Sequence, residues 1–266
     1  MTHTTRDFLR PHLMTLPPHR VMIRAIEARL FAETAPELAE PVLDVGSGDG
    51  TFAEIAFPGK VIYGIDPIVS DTHEANGRRV YRGLSVADGK HLPFADRTFA
   101  SAFSNCVLEH VEPLTETLSE TFRTLKPGAP FIASVVGNRF PMQLLGTKIL
   151  NALGFDGMRY GRWFNKISVH RNTLSREEWS KRFTDAGFEV VSCRPYFSDS
   201  ALALFDASHY IAAPSLLTRK LLGRWLIAPP FTLNWLWEPI LRPLYEAPAP
   251  TDAPYYFFIL RKPVTE

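Results

Sequence analysis

The sequence predicts an α/β protein built on a doubly wound, mainly parallel sheet, and three observations predict it. An apolar run, Pro41-Val42-Leu43-Asp44-Val45, stops at Gly46-Ser47-Gly48-Asp49-Gly50, and Thr51-Phe52-Ala53-Glu54-Ile55-Ala56 then begins a helical pattern. A carboxylate, Asp66, closes a second apolar run about 20 residues further on. Short apolar runs then alternate with helical stretches as far as Val136. Strand, glycine turn and helix N-terminus together make a small-molecule site: glycines permit positive φ and close approach, and the first helical N–H groups point outward. In such a sheet the ligand lies outside the carboxyl ends of the strands.

Each element follows in order. Val21, Ile23, Ala25, Ile26, Leu30 and Phe31 suggest a helix of about three turns with Pro18 near its start, packed on the sheet edge or over the cleft. After the glycine turn, Lys60–Ile65 reads as the second strand, ending in Asp66-Pro67. The stretch 70–77 is polar and weakly periodic, so a helix there is expected to be short or missing. Val80–Ala87 is the third strand and leads to Asp88-Gly89; Phe99–Ser104 is the fourth. Leu114, Leu118, Phe122 and Leu125 form one stripe of a helix over Pro113–Leu125, and Pro130–Val136 is the fifth strand. Ser175-Arg176-Glu177-Glu178 is a capping-box opening; its helix ends at Ala186-Gly187, and Glu189–Cys193 is the sixth strand. Tyr255–Leu260 is the last strand.

Composition narrows the classes. In 266 residues, 21% are charged and 45% hydrophobic, which fits a folded core rather than disorder. A net charge of +1 without a basic block argues against nucleic acid as the main partner. Two cysteines, Cys106 and Cys193, make neither a disulfide framework nor a zinc site alone, and a reducing cytoplasm is expected. Arg6, Asp7, Arg10 and His12 interrupt any signal-peptide core, and no uninterrupted apolar stretch reaches the ~18 residues of a spanning helix.

The glycine loop departs from the dinucleotide fingerprint, whose third glycine would fall at position 51, where the chain has Thr51. Asp44 adds negative charge beside any phosphates and suits a ligand carrying an ammonium group. Val42–Gly50 resembles the first motif of the class I S-adenosylmethionine-dependent methyltransferases, hydrophobic-hydrophobic-Asp-hydrophobic-Gly-x-Gly-x-Gly, and the chain looks most like their small-molecule, ubiquinone/menaquinone-biosynthesis-like branch. Ala87-Asp88-Gly89 with Leu92-Pro93-Phe94, and Leu125-Lys126-Pro127-Gly128 before strand five, are similar to the same family. The resemblance covers about residues 41–136, 175–197 and 254–263.

That resemblance implies a Rossmann-like, doubly wound seven-stranded sheet with the last strand antiparallel, helical insertions forming a lid, and S-adenosyl-L-methionine as cofactor. It implies a cofactor set of Asp44, Gly46, Ser47, Gly48, Asp66, Pro67, Asp88, Gly89, Asn105 and Cys106. Asp66 would hold the ribose hydroxyls and Asp88 would accept from the adenine amino group, as a carboxylate can. Asn105 and Cys106 would meet the methionine end, mostly through backbone atoms. One domain over 1–266 is expected: a helical cap (1–40), a cofactor-binding half (41–136), an insertion (137–174), helix and strand six (175–197), an apolar helical insertion (198–253) and the last strand (254–263). The two insertions emerge at or beside the ligand end of the sheet, where specificity is built.

Methyl transfer from a sulfonium is an in-line displacement, needing alignment, exclusion of water and, for an acidic acceptor, a base. His110, in Leu108-Glu109-His110-Val111, is the candidate base, with a structural role as its alternative. His170, His209 and Tyr210 are secondary candidates. Some quinone-biosynthesis relatives hold a divalent metal through an acid three residues before the Glu-His pair; here that position is Cys106, and no metal is expected. From Leu216 to Ile227, Leu217, Leu221, Leu222, Trp225 and Leu226 fall opposite Arg219, Lys220 and Arg224, and the apolar theme continues to Tyr245. Such a segment is a packed lid or a peripheral membrane anchor. Either one predicts a hydrophobic, quinone-, isoprenoid- or glycolipid-like acceptor. The rival functions are a non-catalytic cofactor- or partner-binding domain of the same fold and a nicotinamide-dependent oxidoreductase.

Overall fold

A computed structural model describes residues 6–16, 18–222, 236–248 and 250–264, with residues 18 and 211–222 as backbone alone. The first strand, β1 (Val42–Val45), lies inside the sheet, and its four residues are all buried. A strand covered on both faces needs no polar alternation, which is why the run reads as continuously apolar apart from Asp44. Beside it lie β2 (Ile62–Asp66), β3 (Tyr81–Val86), β4 (Ser101–Asn105) and β5 (Pro130–Val136), then β6 (Glu189–Tyr196) and β7 (Tyr255–Arg261). Among the described residues they form one seven-stranded sheet ordered β3-β2-β1-β4-β5-β7-β6. β7 runs antiparallel to both β5 and β6, and the other pairings are parallel. The order reverses between β1 and β4, so their carboxyl ends open the crevice that such sheets use for ligands.

Helices cover both faces. On one, α2 (Pro18–Thr34) carries Phe31, fully buried, with its ring 4.9 Å from Phe257 and 5.8 Å from Phe103. Burying one such ring stabilises by about 1.5–3 kcal/mol. α2 therefore lies on the face of the sheet rather than its edge, and at 17 residues it exceeds the three turns expected. Before it, α1 (Leu9–Thr15) buries Leu9, His12 and Leu13. Pro11 sits in its first turn, where the missing N–H breaks no helical bond. On the other face, α5 (Leu114–Thr124) and α9 (Arg176–Asp185) pack Leu118, Trp179 and Phe183 against Phe131 and Phe258. Both bonds of the Ser175–Glu178 capping box are made.

The expectation for 70–77 is overturned. α4 (Val69–Arg78) is a full helix of ten residues. Its buried side is narrow and small, Thr72 and Ala75, and Ala75 sits against Gly50. Arg78 ties its end to Glu54, Glu74 and the Asp49 carbonyl. Small-residue packing and ion pairs leave little hydrophobic periodicity to read.

The stretch 137–174 folds as α6 (Phe140–Gln143), α7 (Leu145–Ala152) and α8 (Met158–Ile167). α10 (Asp199–Leu222) is a single helix of 24 residues, so the helix expected to start at Leu216 is the end of a longer one. The rest of that expected helix, with Trp225, lies outside the described residues, as do the side chains of its first half. α11 (Glu238–Glu246) precedes β7, and Tyr245 packs back on α1 and α2. Among the described residues no helix is long and apolar enough to cross a membrane.

Candidate active site

The loop after β1 and the short helix α3 (Thr51–Ala56) shape the cleft. The N–H groups of Gly46 and Ser47 both donate to the Ile65 carbonyl at 2.9 Å, tying the loop to β2. Gly46 has φ +88°, and a Cβ there would stand 2.5 Å from the Val107 side chain. Only glycine fits. Asp66 holds the loop from the other side: its Oδ2 accepts from Gly48 N and its Oδ1 from Ile68 N, each at 2.9 Å. Each oxygen keeps a second acceptor site for a ligand hydroxyl. Pro67, next to it, is exposed.

Asp44 is buried, and the Tyr81 hydroxyl donates to its Oδ2 at 2.7 Å. Burial pushes the Asp44 carboxyl up to about 7, Tyr81 opposes this, and the charge of Asp66 adds to it. Tyr81 was not singled out in the sequence; an aromatic at the start of a strand reads as core. Asp88 lies exposed at the end of β3, paired with Lys90 at 3.1 Å, and that residue's backbone N–H and ammonium hold it below the usual carboxylate range. Gly89 faces Thr117 of α5, where a Cβ would fall 2.7 Å from the threonine methyl.

Asn105 ends β4. Its Oδ1 accepts from Ser134 Oγ at 2.7 Å, and Ser134 Oγ in turn accepts from Cys106 N at 3.0 Å. Cys106 has φ +52°. Its thiol turns inward to Glu27 Oε1 at 2.8 Å, which the Tyr196 hydroxyl also reaches at 2.8 Å. Glu27 pairs with Arg24 at 2.6 Å, so α2 delivers two charges to the centre of the molecule. The sequence signal was there: Arg24 and Glu27 interrupt an otherwise apolar helical pattern.

The turn after β4 is gripped by residues 169–172. The Glu109 carbonyl accepts from Arg171 N at 2.7 Å and Asn172 N at 3.0 Å, and Asn172 Nδ2 donates to the carbonyls of Leu108 and Val111. His110 Nδ1 lies 3.1 Å from the Val169 carbonyl, and His170 Nδ1 lies 3.1 Å from Asn165 Oδ1. Both partners accept only, so each Nδ1 carries the proton and each Nε2 keeps a lone pair. Partial desolvation of its ring holds the exposed His110 below the usual histidine range, and burial holds His170 down at about 3.

A cavity of about 180 Å³ lies beside this turn. Cys106, Glu109, His110 and His170 line one side; Arg20 and Arg24 from α2, and Phe205 and His209 from α10, line others. Cys106 follows the residue that ends β4, so the cavity adjoins the cleft at the end opposite Asp66. His209 packs on His19 with ring centres 4.5 Å apart and bonds the Phe205 carbonyl through Nδ1. Tyr210 is directed away from the cavity, to the Tyr160 hydroxyl at 2.6 Å. Glu109 is buried, its carboxyl is pushed up to about 8 by desolvation, and its Oε2 has no protein partner. Glu109, His110 and His170 each offer a ligand atom, all within 4.8 Å of one another, a spacing that a metal ion can bridge; the charge of Arg24 acts on Glu109 and His110 against one.

Sheet order, glycine loop and acidic strand ends together define the class I S-adenosylmethionine-dependent methyltransferase fold. The chain belongs to the Methyltransferase domain family, whose sequence model matches residues 18–193. It is 37% identical over 113 residues to the demethylmenaquinone methyltransferase of Symbiobacterium thermophilum, covering 38% of this chain and 44% of that one. It is 34% identical over 95 residues to the ubiquinone/menaquinone biosynthesis C-methyltransferase of Desulfotalea psychrophila, covering 34% and 39%. The chain thus spans less than half the length of these curated relatives. Two solved structures share its fold: a methyltransferase from Mesorhizobium loti (TM-score 0.56, 16% identity, 89% of this chain and 98% of that one) and the [4+2]-cyclase SpnF (TM-score 0.57, 20% identity, 90% and 81%).

The cleft fits the family's cofactor, S-adenosylmethionine. Ser47 Oγ is buried without a protein partner, nothing stands within 4 Å of a Cβ built on Gly48, and the Asp44 carboxyl is a buried acceptor in reach of an ammonium group's chemistry.

Proposed function

We propose that this chain transfers a methyl group from S-adenosylmethionine to an acceptor with a ring-sized polar head and a hydrophobic body. Asp66 holds the ribose hydroxyls, Asp88 and Gly89 the adenine, and Asp44, Ser47 and the backbone of Asn105 and Cys106 the methionine end. Bound there, S-adenosylmethionine would supply a methyl group activated on a sulfonium, a leaving group that needs no protonation. His110 Nε2 accepts the proton of the acceptor's nucleophile, hydroxyl or acidic carbon, as that atom bonds to the methyl carbon. The observation that carries this assignment is the tautomer: the Val169 carbonyl fixes the proton on Nδ1, so Nε2 is a base on the wall of the cavity.

The acceptor's size follows from the cavity. At about 180 Å³ it takes a ring, whereas pockets that enclose a whole drug-sized ligand run to about 300–1,000 Å³. A longer molecule must leave its remainder outside, and the ring of Phe205 on the cavity wall suits the start of an alkyl or isoprenoid chain. The relatives named for quinone substrates support a quinol-like head. The test is incubation with methyl-tritiated S-adenosylmethionine and a total bacterial lipid extract, followed by partition into organic solvent. Label in the organic phase, lost in His110→Gln, is expected. Label only in water-soluble products overturns the hydrophobic acceptor. Tight cofactor binding with no label in any fraction leaves a binding domain instead of an enzyme.

A further inference from the structure

The insertion between β5 and α9 presents an outward face that neither the fold nor the cleft uses. Along α7, α8 and the turn joining them, Ile149 (49%), Leu153 (65%), Phe155 (65%), Trp163 (47%) and Ile167 (54%) are exposed. Soluble chains rarely leave two aromatics and three large aliphatics open within one hairpin. Interleaved with them are Lys148, Arg159, Arg162 and Lys166, against a single acid, Asp156. Residues 148–167 therefore carry +3 in a chain whose net charge is +1. On α8 the spacing sorts the two roles: Arg159, Arg162, Trp163 and Lys166 share the outer face, whereas Tyr160, Gly161 and Phe164 point inward. Phe164 is 2% exposed and packs on Phe140 at 5.8 Å and on His209, a cavity residue, at 5.2 Å.

We propose that this basic, aromatic hairpin docks the protein on an anionic lipid bilayer, a step that rests on the hydrophobic-acceptor reading above and locates where such an acceptor would be met. Charge complementarity selects the lipid surface. The core of a protein interface is depleted in lysine and charge, because each cation buried there must be desolvated. At a bilayer, arginine and lysine keep their heads among lipid phosphates while their stems, and Trp163, Phe155 and Leu153, enter the acyl boundary. Arg162 pairs with Asp156 at 3.3 Å and Lys148 with Asp199 of α10 at 3.0 Å; both pairs are exposed and weak, and with Asp199 counted the face still carries a net positive charge. With the inner side of α8 against His209, a docked hairpin sets the bilayer one helix away from the cavity wall.

The test is sedimentation of the full chain with sucrose-loaded vesicles of phosphatidylcholine, with and without phosphatidylglycerol. Binding is expected only with phosphatidylglycerol and should weaken as salt rises. Arg159→Gln, Arg162→Gln and Lys166→Gln together should lower partitioning about a hundredfold, at roughly fivefold per basic residue. Phe155→Gln with Trp163→Gln should also release the protein. All five side chains are exposed, so S-adenosylhomocysteine affinity and melting temperature should not change in either variant, and these serve as the control for folding. No sedimentation at low salt, or binding that both variants retain, overturns the proposal. So does a soluble dimer that Trp163→Gln dissociates, since the face would then belong to a second copy of the chain. Sedimentation needs neither cofactor nor acceptor, and its result is separate from that of the lipid-methylation assay.

Discussion

His110 donates its Nδ1 proton to the Val169 carbonyl at 3.1 Å, across a separation of 59 residues. One hydrogen bond thereby gives the imidazole its tautomer and its aim. His110→Gln should lower turnover by about a hundred- to ten-thousandfold, the usual worth of a positioned base. Affinity for S-adenosylhomocysteine should stay the same. Because partial desolvation lowers the His110 pKa, the wild-type rate should climb with pH below the usual histidine value and level off near neutrality. Single-turnover rates across pH check both points, and unchanged turnover in the variant would make His110 structural.

Asn172 acts on the same turn from outside. Its Nδ2 bonds the carbonyls of Leu108 and Val111. Asn172→Ala leaves both acceptors short of a partner and should cost about 1–3 kcal/mol of stability. If the residues 169–172 position His110, turnover should also fall and the pH profile should shift, with cofactor affinity retained. A melting shift with an unaltered profile would show support without positioning.

In the proposed cofactor site, Asp44 is expected to link cofactor affinity to pH. Its carboxyl, at about 7 in the free protein, is mainly protonated below neutrality. An ammonium group favours the ionised form and lowers that pKa, so binding releases a proton. Affinity for S-adenosylhomocysteine should therefore rise as pH increases toward about 7 and then flatten. Asp44→Asn should bind more weakly at neutral pH and lose the slope. Calorimetric titrations at a series of pH values read both.

Glu109 sets an alkaline limit on stability. Its pKa is raised from 4.5 to about 8 in the fold. Unfolded, it gives up its proton near 4.5; folded, it keeps it, so the unfolded state binds fewer protons through this window. Stability contributed by this group is lost as pH rises from about 4.5 to about 8. His12, held at about 4, and His170, at about 3, act in the other direction, and only below about 6.5. Melting temperature should thus fall between neutrality and pH 8, and less steeply in Glu109→Gln. Parallel slopes in the two proteins would mean that Glu109 is already ionised.

Much of the sheet was legible in the sequence, because buried parallel strands and glycine-terminated turns leave local signals. Val42–Val45, the turn at Gly46 and the Ser175 capping box are local in this sense. α4 was missed because Thr72 and Ala75 pack by smallness. The cavity was legible only in part. Glu109 and His110 stand in a recognisable run, but their grip by Val169 and Asn172 joins residues about sixty apart, which no periodicity encodes. Tyr81 beside Asp44 is likewise a product of topology, whereas Arg24 and Glu27 left a local signal, two charges inside an apolar helical pattern.

Calorimetric titration of the protein with S-adenosylhomocysteine tests the central claim most directly. One saturable site is predicted, with NAD giving no binding heat. Asp44→Ala and Asp66→Ala should each weaken it about ten- to hundredfold, the worth of a hydrogen bond to a charged group. Binding of NAD in place of S-adenosylhomocysteine, or wild-type affinity in both variants, would contradict the account.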